Sequence, residues 1–201
     1  MNKTIYQSRA IQAVIVIIAA ILLLSIWPLR IFKETVTTAV GSPAEEMQAY
    51  PVKEESMVMQ TIAAQYDHMN TLHLYLGADA QGSDFYVRIL DKDWQQVCEE
   101  KVDIDEAALP GYQEVEIDVD MEVNALYYII VQGDQSEIQV MSVPAAMTDM
   151  PVLGELYYQD ASKDGMSLVA DYDYGMPLRK MGMLVCGAAI IIVAALLLLL
   201  V

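Results

Sequence analysis

Leu72-His73-Leu74-Tyr75-Leu76 puts an aliphatic side chain at every second position and a polar or half-polar one between. Successive side chains of an extended chain point to opposite faces, so this spelling predicts a strand with its leucines on a core. His73 and Tyr75 then face outward. The same period recurs downstream: Phe85, Val87 and Ile89 alternate with Tyr86 and Arg88, Val115, Ile117 and Val119 alternate with Glu116 and Asp118, and Ile138 and Val140 flank Gln139. Residues 126–131 (LYYIIV) form a continuous apolar run, which suits a central strand. Turn chemistry separates these runs. Residues 77–84 (GADAQGSD) read as a loop, Asp91-Lys92-Asp93 as a tight turn, Leu109-Pro110-Gly111 as a connection and Gln132-Gly133-Asp134 as a hairpin. A short helical turn fits 105–109. Residues 159–165 (QDASKDG) separate a strand around Leu156-Tyr157-Tyr158 from a last one at 166–172. Eight or nine short strands over residues 57–176 predict an all-β sandwich or jelly roll.

Outward from this domain the chain changes character. Residues 32–56, rich in Thr, Glu, Pro and small residues, read as a stalk that runs toward a first strand. Residues 13–29 are an apolar run broken only by Ser25 and Pro28, about 26 Å long as a helix and close to the ~30 Å hydrocarbon core. Residues 181–201 carry no charge and reach about 31 Å, with Arg179 and Lys180 at their entrance. We expect transmembrane helices at 10–31 and 177–201. The first has a rival reading as a cleavable signal peptide behind Lys3 and Arg9. Its apolar run is too long for that, and the nearest small-residue cluster, Thr37-Thr38-Ala39, comes too late. An uncleaved signal anchor with a short N-terminal segment at 1–9 is the expectation.

The charge follows the same division. The chain has 201 residues and a net charge of −17, and all 28 acidic residues lie between Glu34 and Asp173. Only Lys53, Arg88, Lys92, Lys101 and Lys163 share that stretch, while six basic residues and no acid lie outside it. Nucleic acid is excluded as a partner of such a domain, because phosphate binding needs clustered Lys and Arg. Abundant aromatic and β-branched residues exclude disorder. Cys98 and Cys186 fall in different segments, so no internal disulfide is expected.

The order of features, with Met59-Gln60-Thr61 on an early strand, then Leu-x-Leu, Phe85-Tyr86-Val87-Arg88-Ile89-Leu90-Asp91-Lys92-Asp93, LYYIIV and Tyr172-Asp173-Tyr174 before the second apolar run, resembles a known arrangement. It is similar to the galactose-binding-like β-sandwich that some Gram-positive bacterial membrane proteins carry outside the cytoplasm, between their first and second transmembrane helices. Some of those proteins are polytopic and related to glycosyltransferases or envelope-polymer synthesis. The resemblance implies a cell-membrane protein with an extracytoplasmic sandwich, and it transfers no catalytic residue. A positive-inside count of Arg30, Lys33, Arg179 and Lys180 against Lys3 and Arg9 points the other way, but long domains translocate largely regardless of flanking charge. Both chain ends are expected inside.

Motif chemistry is sparse. There is no HExxH, no Cys pair for zinc, no GxSxG elbow, no Walker loop and no GxGxxG turn. His68 and His73 read as surface imidazoles. Glu116, Asp118, Asp120 and Glu122 read as an acidic outer stripe that keeps an edge strand from pairing with neighbours. Two site readings remain. Tyr75, Tyr86 and Tyr112, on outward or loop positions, could stack on sugar rings. Asp79, Asp84, Asp91 and Asp93 could supply loop carboxylates to calcium, the one cofactor considered. The function expected is a non-catalytic binding or assembly module of the cell envelope, with no catalytic residue. Its partners would be the lipid bilayer and an envelope glycan or another membrane protein. One alternative is the N-terminal part of a polytopic glycosyltransferase-like enzyme whose catalytic region lies outside this chain, and another is a sensor subunit of a membrane complex.

Overall fold

The computed structural model describes residues 2–27, 29, 31, 33–40, 46–80, 82, 84–134, 136–145 and 154–200. They form two units. One comprises residues 1–34 and 176–201 and is helical; the other spans residues 35–175 and is built of strands.

The helical unit contains α1 (Asn2–Ile26) and α2 (Lys180–Leu200). Each holds a stretch long and apolar enough to cross a membrane, Arg9–Ile26 and Met181–Leu200. The two run antiparallel. Leu23 and Ile26 lie beside Met183 and Gly187, and Ile15 and Ile18 lie beside Val193 and Leu197. Near the end of the α1 span, Ser25 is satisfied internally, as its Oγ donates to the carbonyl of Ile21 at 2.9 Å. Within the same unit Arg179 Nε pairs with Glu34 Oε1 at 2.9 Å. Of the residues expected to frame the first helix, Pro28 and Arg30 lie outside the described residues.

The strand unit is a two-sheet antiparallel sandwich. In chain order its strands are β1 (Lys33–Val40), β2 (Gln48–Val52), β3 (Met57–Ala63), β4 (His68–Leu76), β5 (Asp84–Leu90), β6 (Gln96–Asp103), β7 (Gly111–Asp120), β8 (Leu126–Gly133), β9 (Ile138–Pro144), β10 (Leu156–Tyr158), β11 (Ala161–Lys163), β12 (Met166–Leu168) and β13 (Ala170–Pro177). One sheet runs β1-β13-β4-β9-β12, with β2 paired to β9 and β7 to β4. The other runs β11-β10-β3-β8-β5-β6.

The alternation read from the sequence is what closes the core. Leu72, Leu74 and Leu76 of β4, Val115 and Ile117 of β7, and Ile138 and Val140 of β9 are buried. They face Phe85, Val87 and Ile89 of β5 and Tyr127, Ile129 and Val131 of β8. A bulge between Met69 and Thr71 resets the phase of β4, which is why Met69 shares the core with Leu72 at odd spacing. One polar group crosses the core. Gln60 is fully buried on β3; its Oε1 accepts the Leu168 N–H of β12 at 3.1 Å and its Nε2 donates to the Thr61 carbonyl at 2.9 Å.

Three expectations are corrected. Residues 32–56 are not a bare stalk, because β1 and β2 lie in them and hydrogen-bond to β13 and β9. The β-branched spelling Thr35-Val36-Thr37-Thr38 favours the pleated form, and pairing with a waiting edge fixes it. Gln132-Gly133-Asp134 does not close a hairpin: β8 and β9 belong to different sheets, so the chain crosses the sandwich there. Gly133 marks a close approach instead, since a Cβ on it would stand 2.7 Å from the Ser136 carbonyl. Residues 159–165 contain β11, which forms a two-residue hairpin with β10 through Gln159 (φ 48°) and Asp160 (φ 63°). The short turn at 105–109 is present as a 3-10 helix over Glu106–Ala108, capped by Asp105.

Candidate functional site

The outer face of the six-stranded sheet carries the sandwich's aromatic recess. β5 turns into β6 through residues 91–95, and Asp91 organises the turn. Its Oδ1 accepts the N–H groups of Asp93 and Gln95 at 2.8 and 2.9 Å, and its carbonyl accepts the Trp94 N–H at 3.0 Å. This geometry forces φ of Trp94 to +62°. Left-handed backbone is disfavoured for any residue with a Cβ and is rarer still for a bulky one. Trp94 is nonetheless 58% exposed. One indole face stacks on Tyr128 of β8, with centroids 4.2 Å apart and planes 15° off parallel; among the described residues no second ring is stacked on it.

Below Trp94 lies a recess of about 460 Å³. Its floor is the outer face of three neighbouring strands: Met59 and Thr61 of β3, Leu126 and Tyr128 of β8, and Tyr157 of β10. Gly154 and Glu155 form the far rim. Gly154 is seated directly on β3, where a Cβ would meet the Thr61 carbonyl at 2.0 Å, and the Thr61 N–H donates to the Glu155 carbonyl at 3.1 Å. The Tyr157 hydroxyl donates to Glu155 Oε2. That hydrogen bond, with slight desolvation and the negative charge of Glu155, holds the Tyr157 phenol above its ordinary range. The site thus offers a flat π surface, two phenols, a hydroxyl and a carboxylate, the elements that orient a ring with polar edges and apolar faces.

The three tyrosines singled out as a platform do not converge. Tyr75 and Tyr112 are cross-strand partners on β4 and β7, packed edge to face at 5.1 Å, whereas Tyr86 is on β5 in the other sheet. Arg88 and Lys101 sit over the Tyr86 ring at 5.7 and 5.6 Å, so that ring already has cationic partners. The four carboxylates considered for calcium are also apart in role. Asp84 pairs with Lys101 at 2.8 Å, Asp91 caps its turn, and Asp79 accepts from Gln139 Nε2 at 3.2 Å. Asp93 is exposed on the turn. Gln81 and Ser83 of the neighbouring loop lie outside the described residues. Among the described residues no three His, Cys, Asp or Glu side chains are grouped as a metal would need.

On the seven-stranded sheet the outer face is polar and internally paired. His68 lies between Asp118 and Asp120 of the edge strand β7, at 3.0 and 2.8 Å. His73 Nε2 is 3.2 Å from Asp173 Oδ2, and Thr37 Oγ1 donates to Asp173 Oδ1 at 2.5 Å. Burial first, and Asp173 after it, push the Asp171 carboxyl up; His73 opposes them.

Trp94 did not stand out in the sequence. Its signal was an indole between Asp93 and Gln95 inside a charged tight turn, where a small or polar residue is the ordinary choice. In comparisons with known proteins the chain matches no family model and no curated protein.

Proposed function

We propose that this chain is a membrane-anchored, non-catalytic binding module of the cell envelope. Its two helices sit in the cytoplasmic membrane and its sandwich lies outside, presenting the Trp94–Tyr128–Tyr157 recess to a glycan. The observation that carries this reading is Trp94 itself: an indole held in left-handed backbone, stacked on Tyr128 and still 58% exposed. Pyranose rings have apolar C–H faces and hydroxyl edges, which match an exposed indole beside Thr61, Tyr157 and Glu155. The order anchor, sandwich, second helix supports the envelope setting through its resemblance to Gram-positive membrane proteins.

The test is a glycan array probed with the full chain in detergent micelles, beside the Trp94→Gly variant. We expect saccharide spots bound by the parent and lost in the variant. Spots retained by the variant, or none with the parent, would sink the proposal.

A further inference from the structure

We infer that the recess selects saccharides bearing a free, protonated amine over their N-acetylated or anionic counterparts. This rests on the glycan reading of the site and adds a charge requirement to it. Glu155 is an exposed carboxylate at the rim, and a carboxylate only accepts hydrogen bonds. One oxygen takes the Tyr157 hydroxyl, and the exposed carboxylate keeps further lone pairs with which to accept. A ligand atom placed there must therefore be a donor. An ammonium group supplies three donors and a full positive charge; an acetamide supplies one N–H and brings a carbonyl for which Glu155 has no donor.

The surroundings reinforce the same sign. No Lys or Arg is among the described residues lining the recess. Lys92, in the same turn as Trp94, is paired with Glu122 at 3.3 Å, and Asp93 stands exposed between them in the chain. On the Tyr157 side, Asp164 adds its negative field to that of Glu155. Ligands with carboxylate or phosphate groups meet like charge on both flanks. The exposed indole works in the same direction, because the ring quadrupole attracts a cation above it.

The experiment is calorimetric titration of the full chain in detergent micelles with three probes. They are a β-1,4-linked glucosamine tetrasaccharide, its fully N-acetylated counterpart and a galacturonic acid tetrasaccharide. Exposed ion pairs and cation–π contacts are modest, so the free-amine probe should bind about fivefold more tightly than the acetylated one. The galacturonate should show no heat. Glu155→Gln should bring the free-amine and acetylated probes within about twofold, by loss of the amine's advantage alone. Equal or tighter binding of the acetylated probe, abolished by Trp94→Gly, would overturn the charge requirement while leaving the glycan site standing. Amine binding that survives Trp94→Gly would show attraction to the acidic surface at large and overturn both. Absence of binding by all three would do the same.

Discussion

Replacing Trp94 by glycine separates a ligand-facing indole from a structural one. Rather less than half of the side chain is covered, about 100 Å² of a residue type that buries 150–250 Å² when fully inside. At about 25 cal/mol/Å² that cover contributes about 2.5 kcal/mol, the stack on Tyr128 included. Against it stands the left-handed backbone at φ 62°, which costs about 1–2 kcal/mol with a Cβ present and which glycine relieves. Glycine's extra freedom in the unfolded chain returns about 0.5–1 kcal/mol of that. The expected net loss is about 1–2.5 kcal/mol, whereas truncating a packed core aromatic costs about 3–5 kcal/mol. The assay is denaturant unfolding of the full chain in micelles followed by far-UV circular dichroism, paired with glycan binding. We expect a small shift in midpoint and at least about tenfold weaker binding, the equivalent of about 1.4 kcal/mol. A loss of 3 kcal/mol or more with binding intact would show Trp94 to be cover for the sheet, and the reasoning about the recess would fail.

Three further outcomes follow from the fold. Gln159→Asn with Asp160→Gly puts the residues that tolerate positive φ into the β10–β11 turn and should raise stability by about 1 kcal/mol in the same assay; an unchanged or lower midpoint contradicts the turn assignment. Gln60→Leu strands the buried Leu168 N–H and should cost about 1–3 kcal/mol, and a variant as stable as the parent would show that this cross-sheet bond contributes nothing. Burial pushes the Tyr172 phenol up and the Tyr174 phenol up to about 12, so both stay protonated in the fold while an unfolded chain ionises near 10. The native state then holds more protons above pH 10, and stability falls by about 1.4 kcal/mol per pH unit for each phenol between there and about 12. Tyrosinate absorbance from these two residues should appear with the loss of β signal, and their titration in an intact fold would refute the burial account.

What the sequence made legible was whatever a half-buried strand must spell. Leu72-His73-Leu74-Tyr75-Leu76 and Phe85-Tyr86-Val87-Arg88-Ile89 gave their faces correctly because one face meets the core and the other meets water. β6 went unread because it is an edge strand, mostly exposed on both faces, and exposure imposes no period on Gln96–Asp103. The crossing at Gly133 looked like a hairpin because Gly-Asp signals a change of direction and says nothing of which sheet receives the next strand. For the site the difficulty is one of assembly. Tyr75, Tyr86 and Tyr112 share an outward phase, but phase does not tell one sheet from the other. The recess joins Thr61, Trp94, Tyr128 and Tyr157 from β3, the β5–β6 turn, β8 and β10, and only strand order makes them neighbours.

Everything proposed for the recess requires the sandwich to lie outside the cytoplasmic membrane. Ala161→Cys on the exposed strand β11, in a Cys98→Ser, Cys186→Ala background, gives one thiol to follow with a membrane-impermeant maleimide. The account predicts labelling of intact protoplasts at the level seen after lysis. Labelling that appears only after lysis would place the sandwich in the cytoplasm and contradict the envelope role.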